Sequence, residues 1–190
     1  MEAKIQMRRQ HFHYVFLLSC ALLAGCGAIA QQTPGSLTVR TATVVANGTA
    51  ALLELGLDCH LSGPMQDALD HGIPITLRIE VRAGRWPRAL ASATERIEMR
   101  YFPLSRRYQL RKTESDDVRS FATPTYLIAA LGSLRLGLPG AFANLPATTP
   151  LQLSVAIDPA ALPGALRLPA LFEPAWRLAA KDYAWTVAGP

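Results

Sequence analysis

Charge is scarce in this chain and aromatic residues are scarcer: of 190 residues, 17% are charged, 7% are aromatic and only 3 are cysteine. Low charge combined with 50% apolar content excludes a solvated disordered tail. One apolar run lies near the N-terminus and no second follows, which excludes a multi-span membrane protein. No G-x-S-x-G elbow, P-loop or dinucleotide fingerprint occurs, so the common nucleophile and phosphate cradles are missing. No C-x-x-C and no H-x-x-x-H spacing occurs either, so no metal ligand and no cofactor is expected. No catalytic residue is assigned for the same reason.

What is present begins with an address. Met1 to His13 carries Lys4, Arg8 and Arg9 against a single acid, Glu2, and Tyr14 to Leu23 is almost wholly apolar. A charged start, a short apolar core and small residues at its exit form a secretory signal, and the core is too short to cross a bilayer. Met7 is an alternative start, since Met7-Arg8-Arg9 opens an equally good signal. Leu23-Ala24-Gly25-Cys26 resembles a bacterial lipobox, in which Cys26 is acylated after cleavage before it. Ala28-Ile29-Ala30 offers ordinary cleavage and release as the alternative, giving a soluble periplasmic protein. The lipobox is preferred because Cys26 directly follows the apolar core. The expected organisation is a signal over 1–25, a tether over 26–36 and one domain over 37–188. Gly27 rather than Asp after the acylated Cys favours the outer membrane, by resemblance to enteric sorting rules.

Processing changes the arithmetic. Three cations and one anion leave with the signal, so the +5 of the whole chain falls to +3. That small charge on an exported chain argues against a nucleic-acid partner. Cys59 is left alone in the domain, so no intrachain disulfide forms and the fold rests on its apolar core.

The body reads as strands. Leu37 to Ala46 is rich in Val and Thr, and Asn47-Gly48 supplies a tight hairpin turn. Asn47-Gly48-Thr49 is also a glycosylation sequon, but in a bacterial envelope protein the turn reading prevails. Leu53, Leu55, Leu57, Cys59 and Leu61 share one face of the returning strand. Ser62 to Gly72 predicts a short helix with Met65, Ala68 and Leu69 inward, and Thr123 caps a second helix with Tyr126, Leu127, Ala130 and Leu131 inward. Ile75, Leu77, Ile79 and Val81 alternate with Thr76, Arg78, Glu80 and Arg82; Ile97, Met99 and Tyr101 alternate with Arg96, Glu98 and Arg100. Placing Glu80 opposite Glu98 would oppose like charges throughout, so an offset with Glu80 facing Arg96 or Arg100 is expected. Leu151, Leu153, Val155 and Ile157 form a further strand, and Tyr183 and Trp185 stand at strand spacing. The expected fold is mainly β: an antiparallel sandwich or strongly curved sheet with two short helices. A single-sheet α+β arrangement is the alternative.

Candidate binding residues are few. Arg85-Trp86-Pro87-Arg88 places an aromatic between guanidiniums, a combination that takes acidic groups, glycans or headgroups. The competing reading folds Trp86 over the sheet end. The Arg78 to Arg100 charges read as a solvated sheet face rather than an anion site. Glu114 to Asp117 reads as a turn, without the spacing of a calcium loop. Asp67 and His71 stand four apart on the helix and read as a capping or surface pair. Cys59 falls on the Leu face and reads as a buried, inert thiol.

The order of these features resembles the exported proteobacterial proteins grouped as domain of unknown function 4390 (DUF4390). The resemblance is carried by Met65-Gln66-Asp67-Ala68-Leu69-Asp70-His71-Gly72-Ile73-Pro74, Ala93-Thr94-Glu95-Arg96, Tyr108-Gln109-Leu110, Ser120-Phe121, and Trp176 to Trp185. It extends from about Leu37 to Val187. Relatives carry several aromatics in the loop corresponding to Gly84 to Ala89, where this chain keeps only Trp86. The family has no established activity, and the resemblance implies an envelope accessory role. Its genes often neighbour a membrane sensor histidine kinase, which implies a sensory partner or a small-ligand binder feeding that kinase. From the residues, the expected role is a non-enzymatic binding domain for an envelope protein, held to the membrane by its lipid.

The lipobox makes a direct prediction. Cys26→Ser abolishes palmitate labelling and moves the chain from the membrane to the soluble fraction; unchanged labelling and fractionation would contradict it.

Overall fold

The computed structural model describes residues 33–187 except 86, 114 and 116. The signal, Cys26 and most of the tether lie outside the described residues.

Two antiparallel sheets share one continuous core. The smaller begins with β1 (Ser36–Asn47) and β2 (Ala50–His60); the hairpin forms where expected, but one residue later, because Asn47 still pairs with Ala50 and Gly48-Thr49 make the turn, Gly48 at φ +63°. A strand absent from the sequence reading, β7 (Leu134–Leu138), adds to the free side of β2 and gives the order β1-β2-β7. Leu134, Leu136 and Leu138 do alternate with Arg135 and Gly137, a signal short enough to be passed over. The larger sheet has the order β6-β5-β4-β3-β8-β9. Its strands are β3 (Ile75–Ala83), β4 (Ala91–Phe102), β5 (Arg107–Lys112), β6 (Val118–Phe121), β8 (Pro150–Ile157) and β9 (Ala179–Thr186). Two sheets without barrel closure match the expected sandwich and set aside the single-sheet alternative.

The inner row of β3 shows why the sandwich forms. Ile75, Leu77, Ile79, Val81 and Ala83 are all essentially fully buried, as are their partners Leu151, Leu153 and Val155 on β8. From the other sheet, Leu53, Leu55 and Leu57 of β2 complete the same cluster. Each large side chain so buried contributes roughly 1.5–3 kcal/mol, which a disulfide-free domain requires.

Helix α1 (Gly63–Asp70) is capped by Ser62, whose Oγ accepts from the Met65 amide at 3.3 Å, and Met65, Ala68 and Leu69 are buried as expected. Helix α2 (Pro124–Ala130) is capped by Thr123 and buries Leu127. Tyr126, expected inward, is instead exposed, because this short helix turns only one narrow stripe to the core. A third helix, α3 (Gly164–Phe172), corrects the expected count of two. Its Pro163 and Pro169 disguise it, since proline inside a helical pattern normally reads as a break.

The register of β3 on β4 also departs from expectation. Glu80 lies opposite Thr94, Arg78 opposite Arg96 and Thr76 opposite Glu98. The Glu–Glu clash is avoided, but by a longer slide than the two-residue offset. Two arginines now face each other, and each finds its acid elsewhere. Arg78 Nε meets Glu80 on its own strand at 3.1 Å, while Arg96 Nε donates to Asp158 at 3.0 Å. Glu98 is taken by Arg111 on β5 at 3.2 Å. Pairing along and beyond the strand therefore accommodates a register that cross-strand charge alone did not predict.

Asp158 is the buried member of that set: its side chain is 6% exposed, and it also accepts the Ala160 amide at 3.1 Å. Asp158→Ala removes both bonds and leaves Arg96 facing Arg78, so a loss of about 2 kcal/mol is expected in urea unfolding with an unchanged slope. Asp158→Asn, which keeps the Ala160 acceptor, should lose less.

Candidate functional site

The sandwich has two ends of different character. At one, β1 begins and β2 ends, Ser36 pairing with His60. Helix α1 connects that end to the start of β3, and β8 finishes there before α3. The turn between β4 and β5 belongs to the same end, because Ile75 pairs with Met99. At the other end lie the Gly48-Thr49 turn, the β3–β4 loop, the approach to β8 and the close of β9, where Pro150 pairs with Thr186.

The Arg85 to Arg88 segment occupies the second end. Gly84 leaves β3 with φ +101°, a conformation that L side chains resist, and a Cβ there would sit 3.0 Å from the Leu90 amide. The loop is held by Leu90 N–H to Ala83 O at 2.8 Å, Arg88 N–H to Arg85 O at 3.0 Å and Gly84 N–H to Pro150 O at 2.8 Å. Arg85 and Arg88 are exposed. Trp86 lies outside the described residues, so the structure places two members of the predicted trio.

Beside that loop, on the outer face of the large sheet, runs a shallow open groove of about 350 Å³. Arg78, Glu80 and Arg82 of β3, Gln152 and Ser154 of β8, and Lys181 and Asp182 of β9 line it. Ser154 stands opposite a β-bulge formed by Lys181 and Asp182, and Asp182 adopts φ +62°. Asp tolerates that region better than most residues, and the bulge bends the edge strand β9 away from pairing with another chain. Among the described residues, Arg82 and Lys181 carry no ion pair, which leaves two cations available on this face. Alternation of polar residues on β3 made Arg82 legible; the bulge, which aims Lys181 and Asp182, was not.

Among the described residues, the other groups singled out in the sequence do not assemble into a reactive centre. Cys59 is buried among leucines, and burial first, then the neighbouring Asp58 carboxylate, pushes its thiol up to about 12. His60, on the opposite face, is exposed and lies 3.6 Å from Asp58. His71 Nδ1 donates to the backbone carbonyl of Asp67 at 2.6 Å, closing the end of α1 rather than pairing with the Asp67 carboxylate. Lys112 bridges Asp117 at 2.8 Å across the base of the acidic turn; that hydrogen bond and charge hold the exposed Asp117 carboxyl below its usual range.

One pairing was not anticipated. Tyr108 donates to Asp70 at 2.7 Å and stacks on Tyr101 with ring centroids 4.7 Å apart, tying β5 to α1. Burial first, then the hydrogen bond and charge of Asp70, push its phenol up to about 12.

This architecture agrees with a direct comparison, in which the domain of unknown function DUF4390 matches residues 35–186. The chain belongs to the DUF4390 family. The match opens at the residue before β1 and closes at the last residue of β9, so the two-sheet domain and the family unit coincide. No curated protein and no solved structure gives a significant match. The family assignment brings no activity, and function must be argued from the DUF4390 domain's own surface.

The two raised acids predict alkaline instability. Each is neutral in the folded domain up to about pH 12, but ionises near 9.0 for the thiol and 10.0 for the phenol when unfolded. Their contribution is fully present below those unfolded values and is lost as pH rises through 9–12. Urea midpoints should fall across that window. Pairing Cys59→Ala with Tyr108→Phe should flatten the fall; an unchanged slope would assign it to other groups.

Proposed function

We propose that the DUF4390 domain is an exported, non-enzymatic binding module, anchored through acylated Cys26 to the periplasmic side of the outer membrane, that engages an envelope protein with the end carrying Arg85 and Arg88. The observation that carries this reading is the polarity of the sandwich. The chain enters at Gly35, where a Cβ would lie 3.0 Å from the His60 carbonyl oxygen, while Arg85 and Arg88 lie at the opposite end. A tether attached at the first end presents the second end away from the bilayer. Arg85 and Arg88, both exposed, and the adjacent Arg82 form a cationic lip suited to an acidic protein surface.

A small-ligand binder feeding a sensor kinase is the second reading, and one observation favours it. Arg82 and Lys181 flank a groove with the neutral hydrogen-bonding groups of Gln152 and Ser154 between them. That groove is open and mostly polar, whereas small-molecule sites bury most of their ligand against apolar walls. The protein-partner reading therefore comes first.

A photocrosslinking amino acid at position 85 or 88 of the full chain, activated in intact cells, should capture one discrete envelope protein. The same group at Tyr126, exposed on α2, should not. Equal capture from both positions, or none from either, would remove the protein-partner reading in favour of ligand screening on the Arg82–Lys181 groove.

A further inference from the structure

Among the described residues, the three most exposed large apolar side chains, Leu104, Phe172 and Leu168, lie at the end where the chain enters, while Leu90, at 65%, lies at the far end. On α3, Leu168 is 66%, Leu171 57% and Phe172 73% exposed, while Ala170 on the same helix is buried. Positions 168, 171 and 172 are three and four apart, so they form one outward stripe. Pro163 at the N-cap and Pro169 within restrict the helix backbone that carries it. Leu104, at the β4–β5 turn, is fully exposed. That turn is fixed against α1: Pro103 lies beside Gly72, and Tyr108 bonds Asp70. Soluble surfaces scatter single leucines freely, but two rigid elements at one end, each offering bare Leu or Phe, call for a covering surface.

Three features identify that surface as a lipid bilayer. The first is where the chain goes: Gly35 sits at this end, packed by Leu178, which directly follows the turn after α3. The backbone between Cys26 and Gly35 can extend at most about 30 Å, so an anchored domain keeps this end close to the membrane. The second is the setting of the apolar tips. Leu104 is followed by Arg106 and Arg107, and Leu168 follows Arg167; all three arginines are exposed, as is Arg177 beyond α3. Arginines beside apolar tips suit the anionic headgroup layer with their side chains extended along it. Against them stand Asp58, paired with His60, and the exposed Asp67 and Glu173. The third is that the exposed apolar residues sit on two separate elements, a turn and a short helix, which a soft lipid layer accommodates more readily than a flat protein face does.

We propose that this end of the DUF4390 domain docks on the membrane that holds its lipid anchor, with Leu104, Leu168, Leu171 and Phe172 entering the boundary between headgroups and acyl chains. Docking orients the domain, so that Arg85 and Arg88 stand furthest from the bilayer. The inference rests on the lipid-anchor reading for its geometry, and its test separates the two.

The full chain, processed in cells, is reconstituted into vesicles of phosphatidylethanolamine and phosphatidylglycerol, bearing Phe172→Cys or, separately, Leu168→Cys labelled with an environment-sensitive fluorophore. Ser92→Cys, exposed on β4 near the far end, is the control, and native Cys59 is buried. Nitroxide lipids with shallow spin labels should quench the label at 172 or 168 at least about threefold more than at 92. Equal quenching at all three positions, with the protein still acylated and floating with the vesicles, overturns docking while the anchor stands. A blue-shifted label at 172 that nitroxide lipids do not quench means that protein covers the face, as a second copy or a partner, and also overturns it. If the chain proves unacylated and soluble, the anchor reading fails. Docking is then decided by adding vesicles to the released protein: preferential quenching at 172 supports it, and none overturns it.

Discussion

Strand β3 is the constraint on which the domain depends. It is hydrogen-bonded on both sides, to β4 and to β8, and its inner row from Ile75 to Ala83 has essentially no exposure. A strand so placed tolerates no one-residue slip, which would turn Arg78, Glu80 and Arg82 into the core. With Cys59 the only cysteine in the described domain, no covalent link shares that task. The helix α1 that precedes β3 is packed through Met65 and Leu69, both without exposure, and so delivers the strand at a set position.

From that register the charges take their places. Arg96 is brought opposite Arg78, which makes an acid beyond the strand pair useful, and Asp158 at the end of β8 meets the need. Because Asp158 also begins the 3-10 turn leading toward α3, the polar pair on the sheet face and the helix at the sheet end are coupled. The same rigid sheet separates the two ends of the sandwich. Chain entry, α1 and α3 gather at one, and the Arg85 to Arg88 loop sits at the other. Antiparallel connections produce that polarity without special residues, because successive turns fall at alternate ends of the sheets.

Much of this was legible in the residues and some was not. Alternation exposed β2, β3, β4 and β8 because one face of each is buried and the other wet, which writes period two into the sequence. Ser62 and Thr123 announced α1 and α2 because a cap must satisfy backbone amides wherever the helix lies. Cys59 read as inert from its place on the leucine face. By contrast, β7 was missed because three leucines are too short a run, and α3 because its prolines imitate a break. The partner of Tyr108, the bulge at Lys181 and Asp182, and the pairing of Arg96 with Asp158 all join positions distant in sequence or depend on local backbone geometry.

The sequence by itself determined the fold class, the faces of the strands, the family resemblance and the single cysteine of the described domain. The first two follow from local periodicity, the third from particular residues in a particular order, and the last from composition. Only the tertiary structure decided the register of β3 on β4 and the separation of the two ends. It also decided which arginines stay unpaired and that Leu168, Leu171 and Phe172 remain uncovered. Those outcomes depend on where the chain returns after long connections, and neither propensity nor spacing encodes that return.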